Sequence, residues 1–188
     1  PMLDQIENAP RGSAPRDLLK IPKDLANLPI RLGIIDSSVD LRHNAFAGGS
    51  IIARKFVANA SPPNSHGTAI ASIIVSKDPN LLGLAPEANL YAAEVFDQTD
   101  GQGKFASTVS LVKALDWLIK QDISVINISL AGPPNRLLES ALNRVREKGI
   151  VPVAAAGNGG PMAEPMYPAT NRIYLRIRTR NKVFGIIL

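Results

Sequence analysis

Residues 124–155 read SVINISLAGPPNRLLESALNRVREKGIVPVAA. Ser124 to Leu130 is a short apolar run rich in Val and Ile, the mark of a strand buried on both faces. Arg136 to Lys148 then places Leu137, Leu138, Ala141, Leu142 and Val145 in one helical stripe, and Gly149 follows as a stop. Ile150 to Ala155 is a second apolar run. Strand, helix and strand joined by short connections predict a parallel sheet. The same alternation runs upstream. Arg31 to Ile35 is an apolar strand ending at Asp36, and Asn89 to Phe96 is another. His66 to Val75 is small and apolar without alternation, and Gly67-Thr68 opens it like a helix start. Phe105 to Lys120 sets Val109, Val112, Leu115 and Ile119 near one helical face. The expected fold class is α/β: three layers, a mainly parallel sheet with helices on both faces.

Composition narrows the function. The 188 residues are 45% hydrophobic and 20% charged, enough for one domain with a sizeable core. No apolar run approaches ~20 residues, so no membrane-spanning helix is expected. Cysteine is absent, which removes disulfides, thiolate zinc sites and thiol nucleophiles. Only His43 and His66 are available to a metal, so none is expected. The net charge of +5 sits in one place: Arg172, Arg176, Arg178, Arg180 and Lys182, with no acid among them. Only Tyr174 and Phe184 accompany these residues, so a solvated end is preferred to a nucleic-acid surface. Three regions follow. Residues 1–30, with Pro10, Pro15, Pro22 and Pro29, read as an extended arm with room for a short helix between Asp17 and Leu28. Residues 31–170 form the domain, and residues 171–188 a basic tail. The opening residues show no apolar leader core.

In parallel sheets chemistry gathers outside the carboxyl ends of the strands. That directs attention to Asp36, to Ser129–Gly132 and to Ala156–Gly160. Asp36, in Gly33-Ile34-Ile35-Asp36-Ser37-Ser38, reads either as a turn cap or as a carboxylate that orients an imidazole. His66, in Ser65-His66-Gly67-Thr68, sits at an element boundary, where glycine lets another backbone come close. His43 is flanked by loop residues and reads as surface. Asn158, in Ala156-Gly157-Asn158-Gly159, fits a tight turn, or an amide that donates to a developing oxyanion. No glycine-rich phosphate motif occurs, and Gly101-Gln102-Gly103 follows the acidic Asp97 and Asp100, a poor place for phosphate.

Taken in order, strand-Asp-Ser, Ser-His-Gly-Thr, Val-Ile-Asn-Ile-Ser-Leu, Ala-Ala-Gly-Asn and Tyr-Pro-Ala resemble the subtilisin-like serine proteases, the peptidase S8 subtilases. The resemblance runs from about Arg31 to Thr170. It implies that Asp36 orients His66, that His66 is general base and then general acid, and that Asn158 is the oxyanion-hole donor. It further implies that Ser129, Leu130 and Ala131 pair with one side of an extended peptide or unfolded protein substrate, and Gly101, Gln102 and Gly103 with the other. The family's nucleophile follows the aspartate and histidine in chain order, in a Gly-Thr-Ser turn. Here no serine follows Ser140. The alternation of apolar and basic residues from Ile173 to Arg180 stands where a buried strand is usual, which suggests a truncation or frame change near Asn171 and a C-terminal part missing from the fold. These 188 residues alone are therefore expected to be inactive. Ser38 stands where the family usually has glycine, Ala69 where a histidine is frequent, and Ala131 where the substrate-pairing segment has glycine. Ser76 to Leu82 is short for the calcium loop many members carry, so no cofactor is expected. The resemblance implies a monomeric, secreted or periplasmic endopeptidase. The alternative is a non-catalytic peptide-binding module on the same fold.

Overall fold

The structure is a computed structural model that describes residues 19, 21–22, 28–59, 65–99, 103–155, 166–169 and 175–177. The expected N-terminal helix falls largely outside these residues, as do Gly101, Gln102, Asn158 and most of the basic tail.

Six parallel strands form one sheet, in the order β2-β3-β1-β6-β7-β8. They are β1 (Arg31–Asp36), β2 (Ser50–Lys55), β3 (Asn89–Glu94), β6 (Val125–Ile128), β7 (Val151–Ala155) and β8 (Leu175–Ile177). A separate antiparallel hairpin, β4 (Phe96–Thr99) with β5 (Gly103–Ala106), follows β3. Among the described residues the long helices are α1 (Ser65–Val75), α2 (Thr108–Ile119) and α3 (Arg136–Glu147).

Alternation along the strands divides the core in two. Leu32, Ile34, Leu90 and Ala92 pack with Ile70, Ala71, Ile74 and Val75 of α1. Ile35, Tyr91, Ala93, Ile126 and Ile128 pack with Leu111, Leu115 and Leu118 of α2 and with Leu138, Leu142 and Val145 of α3. Side chains on a strand alternate between faces, so α1 lies on one side of the sheet and α2 and α3 on the other. This is the three-layer α/β architecture that the sequence predicts.

Several elements differ from expectation. β2 was not foreseen. Its residues alternate between half-buried and exposed, and Ile52 is exposed, as suits an edge strand rather than a buried one. Phe56, just after it, meets Trp117 of α2 at 5.6 Å between ring centroids. The strand expected from Asn89 to Phe96 ends at Glu94, and Phe96 begins the hairpin. The helix expected from Phe105 begins at Thr108, because Ser107 caps it by accepting from the Ser110 amide at 3.1 Å. Its buried face is Ser110, Leu111, Ala114, Leu115 and Leu118. Val109, read as part of the apolar face, is 56% exposed. One register error of this kind follows from too many apolar residues on one helix. On α3 the stripe is Leu138, Ala141, Leu142 and Val145, with Leu137 55% exposed. Gly149 ends α3 in the left-handed region at φ 76°, which any other residue adopts only under strain. Within the basic tail, Leu175–Ile177 form β8 beside β7, the edge of the sheet among the described residues.

Candidate active site

The site grows from the carboxyl end of β1. Strand alternation turns Asp36 and, in register with it, Glu94 toward the α1 face, the face of Ile34 and Ala92. Asp36 is 1% exposed and Glu94 5%. α1 begins above them, and three consecutive residues of its first turn are tied to the turn that leaves β1. His66 Nδ1 lies 2.7 Å from Asp36 Oδ1. The Gly67 amide donates to Ser37 Oγ at 3.1 Å. Thr68 Oγ1 accepts from the Asp40 amide at 3.0 Å. Ser37 links these contacts, since its own amide and hydroxyl both donate to Asp36 Oδ1, at 2.6 and 3.1 Å.

Gly67 is required here. A Cβ at this position would overlap the Ser37 carbonyl oxygen, and backbone cannot yield as a flexible side chain can. The glycine thus sets how close helix and turn approach, and with it the reach from His66 to Asp36.

The electrostatics follow from this geometry. The hydrogen bond to Asp36 raises the His66 pKa above its ordinary value. Partial burial opposes this and the charge of Asp36 adds to it. The position at a helix N-terminus also disfavours a cation; the buried carboxylate prevails. The His66 side chain is 39% exposed, so the ring is held from below and reachable from solvent. A carboxylate on Nδ1 orients the ring and favours the tautomer that carries its proton there.

The other expected site residues divide. β6 ends at Ile128, and Ser129, Leu130 and Ala131 continue beyond it at the same edge of the sheet as Asp36. The Ser129 amide donates to the Ile35 carbonyl at 3.3 Å, and Ser129 Oγ accepts from Asn127 Nδ2 at 2.7 Å. Gly132 donates to the Tyr167 carbonyl at 2.9 Å, holding the end of this segment to the Tyr-Pro-Ala motif. The buried Tyr167 hydroxyl has its pKa pushed up to about 12 by burial and by the charge of Glu139. Gly103 begins β5, paired with Thr99 in the hairpin. Asn158, Gly101 and Gln102 lie outside the described residues. His43 is exposed and accepts from the Ala45 amide at 3.2 Å, a cap on the short 3-10 turn Asn44–Phe46. Among the described residues, no three His, Cys, Asp or Glu side chains come together as a metal site.

Sequence reasoning passed over Glu94. Ser38 Oγ donates to its Oε2 at 3.0 Å, so the serine that departs from the family pattern has an acidic partner 56 residues away. The available signal was an acid closing the apolar run Leu90–Ala93.

Known proteins share the sequence pattern and the fold of this chain. The chain is 31% identical over 156 residues to the minor extracellular protease Epr of Bacillus subtilis (strain 168), covering 81% of this chain and 24% of that protein. It is 35% identical over 141 residues to subtilisin E of the same organism, covering 70% of this chain and 35% of that protein. The solved structure of the prenylagaramide maturation protease PagA superposes with a TM-score of 0.68 at 25% identity, over 83% of this chain and 58% of that one. The chain thus spans about a quarter to a third of the length of these two curated relatives. The Peptidase_S8 subtilase model matches residues 30–178, through Asp36, His66 and the segment after β6, and the chain belongs to the subtilase family.

Proposed function

We propose that residues 31–170 are part of the catalytic domain of a serine endopeptidase, in which Asp36 and His66 serve the cleavage of an extended peptide. The observation that carries this reading is the 2.7 Å contact between His66 and the buried Asp36 at the carboxyl edge of the sheet. With Nδ1 held by Asp36, His66 Nε2 takes the proton of an attacking hydroxyl and returns it to the leaving amine. Asp36 stabilises the imidazolium between these steps. Asn158, three residues beyond the end of β7, is the oxyanion donor. Ser129-Leu130-Ala131 and Gly101-Gln102-Gly103 flank the substrate backbone and hold it extended, which favours loops and unfolded chains.

The nucleophile is assigned to none of the serines in residues 1–188. No serine follows Ser140. Ser37 Oγ is engaged by Asp36 and the Gly67 amide, and Ser129 Oγ by Asn127. The engagement of these two hydroxyls favours, as the second reading, a module that binds peptide without cutting it. No metal enters the reaction. Asp78 is the one acid of the Ser76–Leu82 loop, and its carboxylate accepts from the Asn80 amide and side chain, a poor donor set for calcium. The reading takes the protein as a monomer that is secreted or periplasmic, an export in line with the relative named as extracellular. No described helix is long and apolar enough to cross a membrane.

The test pairs a fluorogenic extended peptide with an uncleavable peptide of the same sequence. The uncleavable peptide is expected to shift the amide resonances of Ser129–Gly132, and residues 1–188 are expected to release no dye. Dye release abolished by His66→Ala would place a nucleophile within these residues and overturn its omission. No shift and no release together would remove both the protease and the binding reading.

A further inference from the structure

Glu94 is a buried carboxylate that the proposed reaction does not use. It ends β3 beside the end of β1, and parallel register pairs Asp36 with Glu94. By strand alternation both side chains leave the sheet on the α1 face, where Asp36 meets His66. Glu94 is held by Ser38 Oγ at 3.0 Å, while Ser37 is held to Asp36 Oδ1. Two adjacent serines of one turn therefore join two adjacent carboxylates. A glycine at position 38 has no hydroxyl to make the second of these contacts.

We propose that Glu94 is a positioning residue for the Asp36–His66 pair, fixing the Ser37-Ser38 turn through its carboxylate and favouring the protonated imidazole through its charge. This rests on the reading of His66 as the general base. Through Ser37 the turn contacts both Asp36 and the Gly67 amide of α1, so anchoring it at Ser38 restricts the direction of the carboxylate that holds the imidazole. The charge acts in the same sense as that of Asp36, because both carboxylates stand on one face in a weakly screened place.

The charged groups on the described elements around His66 are these. α1 carries no further ionisable side chain. On the turn after β1, Asp40 faces Arg42 at 3.9 Å. On β2, Lys55 is in register with Glu94 and exposed. On β4, Asp97 follows Phe96. The segment after β6 offers only the neutral Ser129.

The test is the titration of the His66 ring, followed by NMR in residues 1–188 and in Glu94→Gln. Glutamine keeps the shape and still accepts from Ser38, so a change in the titration of Glu94→Gln reports the lost charge. The expected result is a fall of roughly 0.5–1 pH unit in the His66 pKa. A curve that superimposes on that of the parent overturns the proposal while leaving the base reading intact. A parent His66 that titrates at its ordinary value overturns both. Should Glu94→Gln not fold, Ser38→Ala removes the hydroxyl alone. A smaller fall in the same direction supports the proposal, and an unchanged curve overturns it.

Discussion

Gly67→Ala places one methyl group where helix and turn meet. The added Cβ would overlap the Ser37 carbonyl oxygen and stand 3.0 Å from its carbon and 3.1 Å from its Oγ. Ordinary contact requires a retreat of about 1 Å. The first turn of α1 must move, since the Ser37 carbonyl is backbone at the exit of a buried strand. That retreat lengthens the 3.1 Å bond from the Gly67 amide to Ser37 Oγ and the 2.7 Å contact between His66 and Asp36. Overpacking of this kind costs about 1–3 kcal/mol. Loss of a hydrogen bond to a charged group adds about 1.5–3 kcal/mol, discounted here because His66 is part-exposed. Alanine returns up to about 1 kcal/mol in helix propensity. The net expectation is a destabilisation of about 2–4 kcal/mol. Urea denaturation followed by circular dichroism measures it, and NMR titration of His66 reports whether its raised pKa has fallen toward the ordinary value. A variant as stable as the parent, with its His66 titration unmoved, would refute the claim that this glycine sets the distance between helix and turn.

Three further outcomes are expected. Leu142→Ala, at a fully buried position of α3, should cost about 2–5 kcal/mol in chemical denaturation, whereas Leu137→Ala, exposed one residue earlier, should stay within about 0.5 kcal/mol. Asn135→Ala should cost about 1–2 kcal/mol, because Asn135 Oδ1 caps α3 through the Leu138 amide and its Nδ2 bonds Thr108 Oγ1 at the start of α2. The stability difference between the parent and His66→Gln should depend on pH. Because the folded pKa of His66 is raised above 6.5, its contact with Asp36 contributes fully below that value and fades as pH climbs through the folded pKa. Denaturation midpoints of the two proteins, compared at pH 5 and pH 9, should therefore differ more at pH 5.

Much of this architecture is legible in the sequence for a simple reason. Strands covered on both faces must be apolar at nearly every position, and Ile34, Ile126 and Val153 stand in such runs. Edge elements obey no such rule. β2 faces water along one side, so Ser50–Lys55 carries only Ile51 and Ala53 as inward residues and reads like a loop. The β4–β5 hairpin is hidden similarly, since four-residue strands give alternation too little room. Val109 misleads because the sequence offers more apolar positions on α2 than the sheet can cover. Asp36 and His66 stand out individually at element ends, yet 30 residues separate them, and only the order of motifs in a known family joins them. Glu94 is a different case. An acid that closes an apolar run looks like a solvated strand end until register brings it next to Asp36 and Ser38 gives it a partner.

The central claim is that the buried Asp36 makes His66 a positioned base. Its most direct test is the nitrogen NMR spectrum of the His66 ring in residues 1–188 and in Asp36→Asn, taken across the titration. The account predicts a parent imidazole that carries its neutral-state proton on Nδ1 and titrates above 6.5, with Asp36→Asn returning it to that value or below. An Nε2-protonated ring, or a titration unmoved by Asp36→Asn, would contradict it.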